Sequence, residues 1–299
     1  MLSRRAMFAT PVALLAARVG GAQSGKMALA VHMNTSSAAG YRGALEGWAK
    51  AGIRNVELNA ALVDAFLKTD TLEGARRVLT DNGLTPVSVA VGGPGLLEPN
   101  PDHAVAIENL KRRLEMFAAL GLKKVYTTTG GTQKLTIDDY KTVAENMRRV
   151  GETARQFNMI AMVEFVRSSP YMSTLTTALK TIREAAHPNL GPMFDFYHFW
   201  SGLNKLEDMD LIRPREIQHV HFQDVPDMLR ELLDNNSRDI PGDGVSPLAA
   251  MLKKLAEKGY AGPLSVELFL PKFRDGDPFE VATDIRRKAE AVMRQAGVM

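Results

Sequence analysis

Four short apolar runs in the second half of the chain each end in a side chain that can bind a metal ion or transfer a proton. These side chains are Glu164, Asp195, His221 and Glu267. Burying a charged group in an apolar run costs free energy unless the group is paired or ligated. A single acid at a strand end usually caps a helix or pairs with a base. Three acids and an imidazole at successive strand ends instead favour one shared site.

Three carboxylates in one site require a nearby cation. Basic side chains are scarce beside these residues in the sequence, and Arg167 is the nearest. Two Glu, one Asp and one His form an oxygen-rich ligand set typical of Mn²⁺ or Mg²⁺, with Co²⁺, Fe²⁺ and Zn²⁺ as alternatives. The chain has no cysteine, which excludes thiolate ligands and disulfides. We therefore predict one divalent metal ion per chain, with Mn²⁺ preferred.

The elements that position these residues repeat along the chain after residue 26. Short apolar runs are typical of parallel strands buried on both faces. The predicted strands are Ala28–Met33, Asn55–Leu58, Val87–Val91, Lys124–Thr128, Ile160–Phe165, Leu190–Phe194, Ile217–Phe222 and Leu264–Leu268. Amphipathic stretches separate the runs and predict helices. These are Tyr41–Ala51, Leu72–Asn82, His103–Leu120, Thr136–Phe157, Ser173–Ala186, Leu203–Ile212, Pro247–Lys258 and Glu280–Ala296.

Strict alternation of strands and helices, repeated eight times, predicts the α/β class and a single (β/α)8 TIM barrel over residues 26–299. A doubly wound open sheet is the alternative. It would usually show a glycine-rich phosphate turn after its first strand, and the sequence His32-Met33-Asn34-Thr35 is not such a turn. In a TIM barrel the active site lies at the carboxyl ends of the strands, where the four residues fall.

Residues 1–25 are predicted to be a twin-arginine-type signal peptide. Arg4 and Arg5 precede an apolar run, and small residues around Gly21 suit a signal peptidase. The run is too short to span a bilayer, so no stable membrane insertion is expected after cleavage. We predict export to the periplasm. A frayed basic N-terminus on a cytoplasmic protein is the alternative.

Composition bears on the partners of the protein. The net charge is +3, and acidic and basic residues are mixed along the chain. A nucleic-acid-binding protein would normally concentrate basic residues on one face or stripe, and no such stripe is visible. We therefore expect a small-molecule substrate and no nucleic acid. A homo-oligomer is compatible with the sequence, which identifies no interface.

A resemblance to a known superfamily rests on four segments, MVEF, MFDFYHFW, HVHFQD and LSVELF. They look like the sugar isomerase/epimerase superfamily of xylose isomerase-like TIM barrels (AP endonuclease family 2). The superfamily includes ketose 3-epimerases, hydroxypyruvate isomerase and inosose dehydratase, with endonuclease IV as a distant relative. The resemblance covers the chain after the signal segment and is strongest from residue 160 onward. It implies that Glu164, Asp195, His221 and Glu267 hold the metal and that His198 contacts the substrate.

The resemblance also implies the chemistry. A bound cation can chelate a carbonyl oxygen and the neighbouring hydroxyl of a ketose, which acidifies the intervening C–H. One carboxylate then removes that proton to give a cis-enediolate, and a second returns a proton. Glu164 and Glu267 are the implied acid/base pair. Isomerisation, epimerisation and β-elimination all pass through this intermediate.

Export favours an unphosphorylated ketose or keto-sugar as substrate, because phosphorylated intermediates are cytoplasmic. A metal-dependent isomerase or epimerase is therefore the first hypothesis. A lyase or dehydratase acting on an inosose or 3-keto-glycoside is the alternative. A non-catalytic sugar- or metal-binding barrel is a more distant one. DNA repair by analogy with endonuclease IV is disfavoured, because that enzyme type needs many more histidines than the six present here.

Several further residues are predicted to bind substrate. His32 and Glu57 end the first two strands, Arg167 follows the fifth, and Asp224 begins the long seventh loop, Gln223–Ser246. His219 is predicted to point away from His221 and to be a buried, hydrogen-bonded histidine.

Overall fold

A parallel eight-stranded sheet forms the centre of the molecule. The computed structural model describes residues 26–91 and 95–299, so the predicted signal segment lies outside the described residues. The strands are β1 (Ala28–His32), β2 (Asn55–Leu58), β3 (Thr85–Val89), β4 (Lys124–Thr128), β5 (Ile160–Glu164), β6 (Leu190–Asp195), β7 (His219–His221) and β8 (Pro263–Val266). Their spatial order is β3-β2-β1-β8-β7-β6-β5-β4, with every paired strand parallel.

The two ends of this order meet and nearly close the sheet. Ala90 forms a parallel bridge with Tyr126, and the backbone N–H of Val91 donates to the carbonyl of Tyr126 at 2.8 Å. Eight parallel strands wound in this way form a TIM barrel, as predicted. The β3–β4 seam is the least hydrogen-bonded contact between neighbouring strands in the described part of the chain.

Ten α-helices surround the described barrel. They are α1 (Gly40–Lys50), α2 (Ala60–Phe66), α3 (Leu72–Asp81), α4 (His103–Ala119), α5 (Asp139–Gln156), α6 (Leu175–Ala185), α7 (Phe196–Ser201), α8 (Leu248–Glu257), α9 (Pro271–Arg274) and α10 (Pro278–Ala296). Among the described residues, none of these helices has both the length and the apolar character needed to cross a membrane.

The link after β6 differs from the prediction. A helix was expected over Leu203–Ile212, but α7 begins directly after Asp195 and only a 3-10 turn, Leu206–Leu211, follows. The side chain of Asp195 accepts a hydrogen bond from the backbone N–H of His198 at 2.7 Å, which is a helix N-cap. The same carboxylate therefore ends the strand and starts the helix.

Successive residues on a strand alternate between the helix layer and the barrel interior. On β5 and β6, Val163 and Phe194 pack in the main core against the helices, whereas Met162 and Met193 pack with Tyr126 in a separate interior cluster. Glu164 lies two residues after Met162, so the same alternation directs its side chain into the barrel. Asp195 likewise lies two residues after Met193, so its side chain also points into the barrel.

Candidate metal centre

Four side chains from adjacent strands converge at the carboxyl end of the barrel. One ligand atom from each of Glu164, Asp195, His221 and Glu267 lies within 4.8 Å of the others. Nδ1 of His221 is 2.9 Å from Oε1 of Glu164, 3.2 Å from Oδ2 of Asp195 and 3.4 Å from Oε2 of Glu267. All four residues are buried. The structure thus brings the four predicted ligands together, while their role as ligands stays a prediction.

Residues that follow β1 fix the position of Glu267. The hydroxyl of Thr35 donates to the carbonyl of Val266 and accepts from the N–H of Leu268, both at 3.1 Å, and so clamps the backbone on either side of Glu267. The amide of Asn34 donates to Oε1 of Glu267 at 2.9 Å, and Asn59 donates to Asn34 in turn. These bonds fix the carboxylate from the side of β1 and β2.

Arg238 is a site residue that the sequence reasoning missed. Its guanidinium bonds Oε2 of Glu267 and lies 3.4 Å from Oδ2 of Asp195. It is stacked between the rings of Tyr197 and Phe269, 5.0 and 4.8 Å from their centroids. The side chain is almost completely buried. Arg167 is the nearest base in the sequence, but in space Arg238, a loop residue, supplies the positive charge beside the acids.

Arg167 and Asp224 both bind the loop that carries Arg238. The guanidinium of Arg167 donates to the carbonyls of Leu233 at 2.5 Å and Arg230 at 3.1 Å. The carboxylate of Asp224 accepts from four backbone N–H groups at 2.9 to 3.0 Å. These belong to Val225, Gly242, Gly244 and Ser246. The predicted contact of each residue with substrate stays a prediction; the bonds seen here stabilise the seventh loop.

His198 lies beside the centre, and its predicted contact with substrate stays a prediction. Its Nε2 is 3.1 Å from Nη2 of Arg238. A guanidinium can only donate, so Nε2 accepts from Arg238, and the backbone N–H of Arg167 donates to Nδ1 at 3.4 Å. Burial lowers the pKa of His198 to about 4, so the ring is neutral at physiological pH.

The prediction that His219 points away from His221 is wrong. Residues two positions apart on a strand face the same side, and both rings point into the barrel. Nε2 of His219 is 2.8 Å from Oε2 of Glu57, and Nε2 of His221 is 3.2 Å from Oε1 of the same carboxylate. Glu57 and His219 are completely buried. The predicted substrate contact of Glu57 is untested, but imidazoles bond both of its oxygens.

His32 lies between the carboxylate of Glu57 and that of Glu267. Its Nδ1 accepts from the N–H of Asn34 at 3.0 Å, so its Nε2 carries the proton of the neutral ring. That nitrogen is 3.3 Å from the hydroxyl of Tyr126 and 3.7 Å from Oε1 of Glu267. The predicted contact of His32 with substrate stays a prediction.

The buried acids of the cluster differ in protonation. Burial raises the pKa of Glu164 to about 8, although the neighbouring His221 opposes this rise. Burial acts in the same direction on Asp195, but His198, Arg238 and His221 hold its pKa well below the usual range. Burial would lower the pKa of His221, yet Glu57, Glu267 and Glu164 raise it well above the usual value. Protons therefore reside on Glu164 and His221, while Asp195 is ionised.

The donor set fits a divalent cation. Four carboxylates (Glu57, Glu164, Asp195 and Glu267) are buried in this region, and among the described residues Arg238, which pairs with Asp195 and Glu267, is the one buried guanidinium, so protons or a metal ion must supply further positive charge. Three of these carboxylates and one imidazole nitrogen point at a common volume. Hard divalent ions bind such oxygen-rich sets, and they release the protons that occupy their ligands.

A TIM barrel with this group at the ends of β5 to β8 defines a class of metal-competent α/β barrels. Within that class, a family model described as xylose isomerase-like TIM barrel matches residues 45–295. The chain belongs to this family.

Curated relatives of this chain are enzymes. An inosose isomerase of Bacillus licheniformis is 29% identical over 174 residues, which cover 57% of this chain and 63% of that enzyme. A 3-dehydroshikimate dehydratase of Pseudomonas putida is 27% identical over 190 residues, which cover 63% of this chain and 29% of the dehydratase. The matched segments thus span less than two thirds of either relative.

Solved structures share the fold over nearly the whole described barrel. The crystal structure of an IOLI protein with a bound zinc atom superimposes with a TM-score of 0.84 at 22% identity, covering 91% of this chain and 100% of that one. An L-ribulose 3-epimerase gives a TM-score of 0.73 at 20% identity, covering 91% of this chain and 96% of the epimerase. At these identities the likeness shows the fold alone.

Proposed function

We propose that this protein is a divalent-metal-dependent isomerase or epimerase that acts on an unphosphorylated ketose or keto-sugar through a cis-enediolate. The observation that carries the proposal is the convergence of Glu164, Asp195, His221 and Glu267 within 4.8 Å. The relatedness to an inosose isomerase supports a small polyhydroxylated carbonyl compound as substrate.

In the metal-free protein the pKa values of the two glutamates of the cluster shift in opposite directions. A bound divalent cation would polarise the substrate carbonyl and acidify the neighbouring C–H. Burial opposes ionisation of Glu267, but His221, Arg238 and His32 lower its pKa, so it is a ready base. Glu164, with a pKa of about 8, can hold a proton at neutral pH. A bound cation would displace the proton of Glu164, so the acid and base roles rest on the positions of the two glutamates beside the cation and not on these pKa values.

Arg238 orients Glu267, the proposed base of this pair. It bonds Glu267 and lies against His198, so it holds the base between a fixed guanidinium and the amide of Asn34. In this proposal Glu267 would remove the substrate proton, and a proton would return to the enediolate through Glu164. Asp195 stays ionised and does not exchange protons.

For the metal we propose Mn²⁺, because three of the four donors are carboxylates. The zinc atom in the IOLI structure supports a divalent ion in this family without deciding its identity here.

A lyase or dehydratase is the second candidate. The relatedness to a 3-dehydroshikimate dehydratase favours it. The same proton abstraction would then be followed by loss of a hydroxyl or alkoxide group β to the carbonyl, and no proton would return to carbon.

We also propose that the protein works in the periplasm. The proposal rests on Arg4, Arg5 and the apolar run that follows them. Cell fractionation of the full chain tests it: the protein should appear in the periplasmic fraction, and an R4K/R5K variant should remain in the cytoplasm. Equal cytoplasmic retention of both forms would refute export.

The function is tested by hydrogen exchange in D₂O. The chain from residue 26 onward is incubated with Mn²⁺ and a panel of free ketoses, inososes and 3-keto-glycosides, and EDTA is added before proton NMR spectra are recorded. We expect metal-dependent deuterium uptake at a carbon next to the carbonyl of at least one compound. The product separates epimerase, isomerase and lyase. Tight metal binding with no exchange on any compound would favour a binding protein.

A further inference from the structure

Glu57 contacts His221, one of the predicted metal ligands, from the interior of the barrel. It is on β2, whereas His219 and His221 are on β7, and these strands are separated by β1 and β8 in the sheet. The contacts between them therefore cross the barrel. Glu57, His219 and His221 have no solvent-exposed surface, so this carboxylate is placed to act on the protein and not on a solvent-borne substrate.

Each oxygen of Glu57 is bonded by one imidazole. Oε1 is 3.2 Å from Nε2 of His221, and Oε2 is 2.8 Å from Nε2 of His219. An ionised carboxylate only accepts, so both ring nitrogens carry their proton where they face it.

This arrangement decides which nitrogen of His221 faces the acids. Nδ1 is the atom 2.9 to 3.4 Å from Glu164, Asp195 and Glu267. Once a metal ion has displaced the proton of Nδ1, a proton held on Nε2 leaves the lone pair of Nδ1 free for that ion. We propose that Glu57 is a positioning residue that fixes the tautomer and orientation of His221 for metal binding, and that His219 holds Glu57 in place. The inference rests on the proposed function only in requiring a bound divalent ion.

A second cation between Glu57, His219 and His221 is the competing explanation, because their ligand atoms also lie close together. Such an ion would need Nε2 of His221 as well as its Nδ1, so the ring would have to lose both protons. A hydrogen bond from Nε2 of His221 to Glu57 leaves the proton on Nε2 in place. Carboxylates commonly bond the outer nitrogen of a metal-binding histidine, and their loss lowers metal affinity about 10- to 100-fold.

Glu57→Gln is the discriminating variant, because it keeps the shape of the side chain but has one acceptor oxygen for two N–H donors. Glu98→Gln is the matched control: Glu98 is also buried, and it accepts from the hydroxyl of Tyr171 at 3.1 Å. Zn²⁺ affinity and stoichiometry are measured by competition with a chromophoric chelator. We expect Glu57→Gln to bind Zn²⁺ about 10- to 100-fold more weakly, and Glu98→Gln to bind it like the wild type. Equal affinity in Glu57→Gln and wild type would overturn the proposal.

A measurement on the wild type needs no variant to fold. Nitrogen-15 NMR of the Zn²⁺-loaded protein reports which ring nitrogen of His221 carries a proton, with a His221→Gln variant to assign the signal. We expect the proton on Nε2. A proton on Nδ1, or two zinc ions per chain, would overturn the proposal. Both experiments use zinc alone, so they stand or fall separately from any turnover in the sugar panel.

Discussion

Two fully buried glutamates, one in each half of the barrel, end their strands in a similar way but differ in charge. Glu164 on β5 faces the carboxylates of Asp195 and Glu267, and burial raises its pKa to about 8. Glu57 on β2 is buried as deeply, yet the imidazoles around it hold its pKa well below the usual value. The neighbours, and not the depth of burial, therefore set the charge of a buried acid.

The same contrast holds for the two halves as a whole. Strands β5 to β8 each contribute one donor to the centre, whereas β1 and β2 and the loops after them contribute groups that bond those donors. Under the proposed function, the second half holds the reacting groups and the first half orients them. This division makes distinct predictions for variants in each half and in the loop between β7 and β8.

The largest effect is expected from removing the base in the second half. Glu267→Gln keeps the size of the side chain but cannot accept a proton, and we expect exchange at saturating Mn²⁺ to fall about 10³-fold. Glu115→Gln, on an exposed part of α4, serves as control. Circular dichroism should show both variants folded. Near-normal exchange in Glu267→Gln would refute its role as base.

The pH dependence of metal binding tests the protons assigned to the second half. Below pH 8 a proton occupies Glu164, and the raised pKa of His221 places a second proton on the cluster. A metal ion must displace them, so each displaced proton weakens binding about tenfold per unit of falling pH. We expect Zn²⁺ affinity to drop about 100-fold or more from pH 8 to pH 6, and calorimetry in several buffers to show proton release. Constant affinity over this range would contradict the assignment.

Arg238→Met removes the guanidinium that the loop supplies. We expect kcat/KM to fall about 100-fold, because Glu267 loses its partner while Asn34 still holds its other oxygen. Leaving buried carboxylates unpaired should also destabilise the metal-free protein by about 3 kcal/mol, seen in urea unfolding. The control is Arg230→Met, an exposed arginine in the same loop. Wild-type kcat/KM in Arg238→Met would show that the guanidinium has no part in turnover.

The smallest effect is expected from Asp224→Asn, which weakens the loop without touching the centre. Four backbone N–H groups lose a charged acceptor, so Arg238 should be less well fixed. We expect kcat/KM to fall about tenfold and Zn²⁺ affinity to change less than threefold. Asp227→Asn, exposed in the same loop, is the control. Equal losses of affinity and turnover would mean that the loop forms part of the metal centre.

Much of the barrel and the four central residues could be predicted because strands have a period. Apolar runs of the right length located eight strands, and the rule that active sites lie at their carboxyl ends brought Glu164 and Glu267 together. The boundaries were less certain: the seventh strand was predicted as Ile217–Phe222 and is His219–His221. Strand ends depend on pairing with neighbours, which a single segment does not reveal.

The remaining site residues depend on contacts that no local pattern encodes. Arg238 lies in an irregular loop, where no period indicates which way a side chain points. The nearest recognisable sequence feature is the turn at Pro241-Gly242, which follows Arg238. The contact of Glu57 with His219 crosses the barrel between distant strands. For His219 the period was available and was applied wrongly, since residues two apart share a face.

The bonds of Asp224 divide the seventh loop into a hydrogen-bonded stem and an outer lobe. The backbones of Asp224 and Asp239 pair in both directions, at 2.9 and 3.1 Å, directly beside Arg238, and residues 226–237 form the lobe outside this stem. Lengthening such a lobe costs little chain entropy. Over evolutionary time, insertions there that spare Asn235, which accepts from Nη2 of Arg238 at 3.1 Å, can reshape the rim around a substrate while Arg238 stays in place. Substrate preference and reaction type can therefore diverge independently in this barrel.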